Sequence, residues 1–184
     1  MPVPPFFVAR ASRTDAEATA NESVLVLGGA RSGKSAVAEA LLGDAEGTVT
    51  YLATGWSPDP AVDAAWADRV AAHRSRRPAA WRTVEVRGDL PTVLASTAGP
   101  VLVDSLGTWV AGAPAFAVDG AALCAALAAR LATTVVVSDE VGLGVHPETA
   151  DGLAFRDALG DLNRAVAEVA GAVLLVVAGR VLTL

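Results

Sequence analysis

The sequence predicts a single α/β domain built on a mainly parallel sheet flanked by helices, and three observations carry that prediction. Short apolar runs rich in valine and leucine alternate with alanine-rich stretches of helical composition, the pattern of strands covered on both faces. The first run, Val24 to Leu27, leads into Gly28-Gly29-Ala30-Arg31-Ser32-Gly33-Lys34-Ser35, a Gly-x-x-x-x-Gly-Lys-Ser phosphate-binding loop set between a strand and a helix. A length of 184 residues suits one sizeable core, and no linker long enough to separate two domains interrupts it.

Residues 1–22 come first. They hold Pro2, Pro4 and Pro5, a short Phe6-Phe7-Val8 cluster and then polar sequence without periodicity, which reads as a flexible extension rather than a secretory signal; the domain is residues 23–184. After the loop, Ala36 to Leu42 reads as a helix stopped at Gly43, and Thr48 to Ala53 as a second strand. A strand, a helix and a strand in this order form a right-handed unit, so the two strands are parallel. Trp56-Ser57-Pro58-Asp59-Pro60 leaves the carboxyl end of the second strand, which is the ligand-binding edge of such a sheet.

Ala61 to about Ala72 places Val62, Trp66 and Val70 on one helical face, and it runs into His73-Arg74-Ser75-Arg76-Arg77-Pro78, where proline stops any helix. Trp81 to Val86 alternates as a short strand does, and Leu90 to Ala98 reads as a helix broken by Gly99-Pro100. Val101 to Asp104 is a buried strand ending in an acid. Asp119 to Leu131 is helical, Thr134 to Ser138 is an apolar strand ending at Asp139-Glu140, and Glu148 to about Val169 is mostly helical. Val173 to Ala178 is a last central strand, and Arg180 to Leu184 a short edge strand.

Composition narrows the function classes. No apolar run approaches the ~20 residues of a membrane span, so no stable membrane insertion is expected. A net charge of -6 argues against a broad nucleic-acid surface, although Arg69, Arg74, Arg76, Arg77 and Arg82 cluster and mark where a small polyanion would bind. Cys124 stands alone in a helix-like stretch and reads as a small core residue, which points to a cytoplasmic home.

The loop predicts nucleotide binding by a physical route. Its glycines let backbone N–H groups turn inward around an anion at the positive end of the following helix. Lys34 would reach the β- and γ-phosphates, and the Ser35 hydroxyl a magnesium ion. Lys34 is the only lysine among the chain's 14 lysine and arginine residues, so lysine is kept where a flexible point charge suits a phosphate. Asp104, at the end of an apolar strand downstream of the loop, has the pattern of an acid near magnesium or its waters. His73 lies among arginines that would hold a triphosphate and lower its pKa, favouring the neutral imidazole that attacks phosphorus. His146, in a glycine-rich loop before a proline, reads as a loop residue.

Several further motifs lie in register with the loop. They are Tyr51-Leu-Ala-Thr-Gly55, Arg69-Val-x-x-His73-Arg-x-x-Arg77-Pro78-x-x-Trp81-x-Thr-x-Glu85, Val101-Leu-Val-Asp-Ser-Leu-x-x-Trp109, Glu140-Val-Gly-x-Gly144 and Phe155-Arg-Asp-x-x-Gly160-x-x-Asn163. Together they resemble the bifunctional adenosylcobinamide kinase / adenosylcobinamide-phosphate guanylyltransferase family of cobalamin biosynthesis, over about Val24 to Gly179. The chain departs from the family pattern at Ala72-His73, where some relatives carry adjacent histidines, at Ser138-Asp139, at His146 and in the N-terminal extension.

The resemblance implies a P-loop fold of RecA-like type, assembled as a homotrimer, and two reactions. Adenosylcobinamide is phosphorylated with ATP or GTP, and GMP is then transferred from GTP to that phosphate through a GMP-histidine at His73. Carried over by position, Gly28 to Ser35 hold the nucleotide phosphates, and Gly55, Trp56 and Ser57 lie along the nucleotide. Arg74, Ser75, Arg76 and Arg77 lie beside it, with Glu85 and Asp104 at its ribose, base or metal. The metal-facing acid is left open between Asp104, Glu85 and Glu140. Without nucleotidyl transfer the same residues would suit a small-molecule kinase, and without a corrinoid a nucleotide-dependent switch.

Overall fold

The computed structural model describes residues 22–55 and 64–184, apart from a few side chains of the helix that begins at residue 64. The strands are β1 (Ser23–Gly28), β2 (Thr50–Ala53), β3 (Arg82–Glu85), β4 (Val101–Asp104), β5 (Thr134–Asp139), β6 (Ala172–Val177) and β7 (Arg180–Thr183). Between them lie α1 (Lys34–Leu41), α2 (Ala64–Arg76), α3 (Leu90–Ser96), α4 (Leu106–Ala111), α5 (Gly120–Ala128) and α6 (Ala150–Val169). The seven strands form one sheet in the order β3-β2-β4-β5-β1-β6-β7. All neighbours are parallel except β6 and β7, so the mainly parallel sheet is borne out and the edge strand is antiparallel.

The period of two along each strand divides the core. Leu25 and Leu27 of β1 and Val101 and Val103 of β4 face one side, where they pack with Leu90, Leu94, Leu106, Leu123, Leu127, Leu159 and Val166 from α3 to α6. Val26, Leu102, Val135 and Val137 face the other, against Ala38 and Leu42 of the α1 segment and Tyr51. Both faces of the central strands are therefore dry, which is why they read as unbroken apolar runs.

Several boundaries move for stated reasons. The helix expected to end near Ala72 continues to Arg76, because Pro78 is the first residue that stops it, and His73 to Arg76 are thus helical. The segment expected as a helix from Leu90 to Ala98 ends at Ser96, with Asp89 accepting from the Thr92 amide at 3.0 Å as its N-cap. The helix expected to run from Asp119 to Leu131 spans Gly120–Ala128, with Asp119 itself the N-cap. The short helix α4 was not anticipated: Gly107 and Thr108 mask its period, and a reciprocal Ser105/Thr108 capping box starts it. Glu22, read as the end of the extension, is bonded into the sheet: its carbonyl accepts from the Thr134 amide at 3.2 Å and its carboxylate from the Thr133 hydroxyl at 3.0 Å. The rest of the extension, residues 1–21, lies outside the described residues.

Two polar side chains hold the layers at fixed places. Arg130 is 9% exposed, and its guanidinium donates to the Thr134 hydroxyl at 2.7 Å and to the carbonyls of Leu94, Thr97 and Gly99 at 2.9, 2.5 and 2.6 Å. It thus closes the ends of α3 and α5 onto β4 and β5, and its burial lowers its pKa. Asn163 of α6 accepts from the Ser138 hydroxyl at 2.6 Å and donates to the Asp139 carbonyl at 3.1 Å, which fixes the end of β5.

Candidate active site

The site grows from the end of β1. Arg31 (φ 57°) and Gly33 (φ 96°) sit in the left-handed region, and these two reversals bend the chain around a small space before α1 begins at Lys34. Gly28 has to be glycine for lack of space, since a Cβ there would meet the Ser32 hydroxyl at 2.5 Å and the Val176 carbonyl at 2.7 Å. From the far side, the Gly179 amide donates to the Ser32 carbonyl at 2.8 Å, tying the loop to the turn between β6 and β7. The loop is thus held on two sides.

Lys34 is 6% exposed, and its ammonium lies 2.7 Å from an Asp139 carboxylate oxygen and donates to the Gly29 carbonyl at 3.2 Å. A buried ammonium needs such partners. Asp139 reaches it because β1 and β5 are neighbours in register, Gly28 opposite Asp139, and because Gly107 leaves room: a Cβ there would collide with the Asp139 carboxylate. Glu140, the next acid, is turned away, its carboxylate accepting from the Gly142 amide at 2.6 Å. Asp139 is therefore the acid that meets the loop lysine. The sequence places it only within a carboxylate pair, and the contact depends on a strand pairing between residues more than a hundred positions apart.

A second cluster lies where β2, β3 and β4 end. Asp104 accepts a 2.7 Å hydrogen bond from the Tyr51 hydroxyl. Tyr51 is 3% exposed, and burial, reinforced by the Asp104 carboxylate, raises its pKa well above the usual phenol value. Arg77 lays its guanidinium 3.3 Å from the centre of the Tyr51 ring and donates to the Thr83 hydroxyl at 3.3 Å, while its Nε is buried without a partner among the described residues. Arg74 is 3.4 Å from Glu85, whose other oxygen is 3.5 Å from Arg87. At the base of the same edge, the Thr54 and Thr108 hydroxyls are 2.7 Å apart, and Thr54 also donates to the Ser105 carbonyl at 2.6 Å.

The structure thus brings together residues 28–35, Asp104, Arg74, Arg77 and Glu85 at one edge of the sheet. His73 and Arg76 belong to α2, but their side chains are outside the described part, as are the loop residues Trp56 and Ser57. Gly55 follows β2 at this edge, and Ser75 is exposed on α2. His146 is exposed in the loop after β5, as the sequence suggests.

The oxygen donors available for magnesium are the Ser35 hydroxyl, half-buried in the first turn of α1, and the carboxylates of Asp104 and Asp139. Among the described residues no group of three or more His, Cys, Asp or Glu forms a metal cage. Magnesium suits this sparse set, because it keeps several waters and relies on one or two carboxylates plus substrate phosphates.

Comparison with known proteins gives a consistent result. The model of the family "Cobinamide kinase / cobinamide phosphate guanyltransferase" matches residues 24–184. The "Bifunctional adenosylcobalamin biosynthesis protein CobU" of Salmonella typhimurium is 36% identical, covering 85% of this chain and 96% of the relative. The corresponding CobP protein of Pseudomonas aeruginosa is 38% identical, covering 84% and 92%. Among solved structures, an ATPase from a bacterial type III secretion system aligns with 87% of this chain and 54% of its own at a TM-score of 0.50 and 10% identity, a likeness of fold alone. With a phosphate loop, a helix carrying His73 and a family match spanning nearly all the described residues, the chain belongs to the cobinamide kinase / cobinamide phosphate guanyltransferase family.

Proposed function

We propose that this protein phosphorylates adenosylcobinamide with ATP or GTP and then transfers GMP from GTP to adenosylcobinamide phosphate, giving adenosylcobinamide-GDP and pyrophosphate. The observation that carries the reading is the family match over residues 24–184, which includes both the loop with its buried Lys34 and the helix with His73. In the kinase step the work is positioning and charge neutralisation, so no second nucleophile is needed. Gly28 to Ser35 hold the phosphates, with Lys34 as the mobile charge. Gly55, Trp56 and Ser57 lie along the nucleotide, and Arg74, Ser75, Arg76, Arg77, Glu85 and Asp104 complete its surroundings.

In the transferase step a neutral His73 imidazole nitrogen attacks the α-phosphorus of GTP. The bond to the β-phosphate oxygen breaks, pyrophosphate leaves, and the imidazole proton passes to solvent. A phosphate oxygen of the acceptor then attacks the same phosphorus, the P–N bond breaks as the imidazole takes back a proton from solvent, and neutral His73 is regained. Lys34 suits the leaving pyrophosphate, and Arg74 and Arg77 add positive charge at the same sheet edge. Bound through Ser35 and the carboxylates of Asp104 or Asp139, Mg2+ would supply charge neutralisation on the phosphates.

The protein works as a cytoplasmic enzyme with a small-molecule acceptor and no nucleic-acid partner, and as a homotrimer. No helix among the described residues is long and apolar enough to cross a membrane. Support for assembly comes from the sheet edge, where Val177, Leu182 and Leu184 are 51%, 55% and 70% exposed.

Covalent labelling tests the reading. With magnesium and GTP labelled at the α-phosphate, the denatured protein is expected to retain label that is acid-labile and alkali-stable, and the His73→Ala variant to retain none. Binding of GTP without label would remove the transferase and leave a kinase or a switch.

A further inference from the structure

A metal on the nucleotide phosphates needs a carboxylate held at a fixed angle, and two carboxylates stand on one side of the sheet. Leu102 and Val137 face the α1 segment, so the period of two along β4 and β5 puts Asp104 and Asp139 on that side as well. Asp139 is committed to Lys34, whose ammonium lies 2.7 Å away. Asp104 is met by a neutral donor, the Tyr51 hydroxyl, also at 2.7 Å.

The surroundings of Tyr51 aim that hydroxyl. Tyr51 pairs in register with Leu102, and its ring reaches diagonally across to Asp104, the second residue beyond on β4. The ring is only 3% exposed, shares a buried cluster with Ala38, Leu42 and Leu102, and is covered by the Arg77 guanidinium 3.3 Å from its centre. Arg77 is held in turn by donating to the Thr83 hydroxyl on β3 at 3.3 Å. A side chain packed this way has little room to swing. The charged groups acting on the phenol are Asp104 and Arg77, with Glu39 of α1 the weakest.

The bond has one direction, because a phenol O–H donates and a carboxylate only accepts. A rigid neutral donor fixes the plane of the carboxylate and leaves its negative charge in place, which is what a residue behind a metal ligand does. We infer that Tyr51 is a positioning residue for the metal: it presents Asp104 to the metal-bound nucleotide, while Asp139 stays with Lys34. This rests on the Mg2+ proposed above.

Mn2+ takes the place of Mg2+ among oxygen ligands and can be followed by the EPR signal of the free ion. Tyr51→Phe keeps the ring, and with it the seat of Arg77, and removes only the hydroxyl. In the full chain this variant is expected to bind GTP in EDTA within about twofold of the parent by equilibrium dialysis, and to melt within a few degrees of it. Its GTP complex is expected to bind Mn2+ about tenfold more weakly. In an Asp104→Asn background the same change is expected to cost less than about twofold, since the hydroxyl acts through that carboxylate. Parent Mn2+ affinity in Tyr51→Phe would overturn the inference, as would an equal further loss in the Asp104→Asn background. Loss of GTP binding to the same extent with and without metal would make Tyr51 a structural residue alone. A parent whose GTP complex takes up Mn2+ no better than free GTP does would overturn the proposed metal, and this inference with it.

Discussion

Lys34 sits between a carboxylate 2.7 Å away and a carbonyl 3.2 Å away, inside a loop whose neighbours leave little spare volume. A guanidinium is planar, wider and forked, and fits neither the space nor the moving phosphate. Lys34→Arg is therefore expected to weaken GTP binding about 100-fold, as read by dialysis or fluorescence titration, with thermal stability close to that of the parent. Gly107 sets the same pair from the other side. In Gly107→Ala the new methyl displaces the Asp139 carboxylate, and since that is the tip of a side chain the fold adapts while the ion pair is lost. Nucleotide affinity is expected to change about tenfold with a melting temperature lowered by only a few degrees. An unchanged affinity would mean that Asp139 matters only to the resting position of Lys34.

At the level of elements, Arg130 joins α3, α5, β4 and β5 through one buried guanidinium. Arg130→Met fills much of the same space but leaves the carbonyls of Leu94, Thr97 and Gly99 without their donor. A loss of about 3–5 kcal/mol in urea unfolding is expected, several times that of an ordinary surface substitution. This role was not legible beforehand, since an arginine near the end of an alanine-rich helix looks like a solvated C-terminal charge. By contrast the strands were readable: β1, β4 and β5 are dry on both faces, so valine and leucine alone identify them. The loop was readable for a local reason, its eight residues being contiguous. Asp139 beside Lys34, Tyr51 beneath Asp104 and Arg77 over Tyr51 were not, because each depends on strand order or on how far α2 continues. Helix α4 escaped because six residues with a glycine and a threonine show too little period.

For the whole molecule, Tyr51 makes alkaline stability a test of the packing. It is the only tyrosine in the chain, so its ionisation can be followed directly by phenolate absorbance. Its pKa is raised in the folded state by burial first and the Asp104 carboxylate second. Above about pH 10 the unfolded chain releases this proton and the folded chain keeps it, so stability falls as pH rises, by at most about 1.4 kcal/mol per unit. Below that pH both states hold the proton and no dependence arises. Phenolate is expected to appear only with unfolding, and Tyr51→Phe to flatten the alkaline slope. Phenolate formation near pH 10 in the intact fold would contradict the burial of this group.

The hydrogen bond from Gly179 to Ser32 gives the last hairpin a part in the chemistry at the other end of the sequence. The phosphate loop is formed by residues 28–35, yet one of its two walls is the turn joining β6 to β7. A load carried by that hairpin, such as a label attached near Leu182 or Leu184, reaches the loop through the Gly179–Ser32 hydrogen bond as well as through the pairing of β6 with β1. The subunit contact and the hold on the phosphates proposed above would then share one mechanical joint.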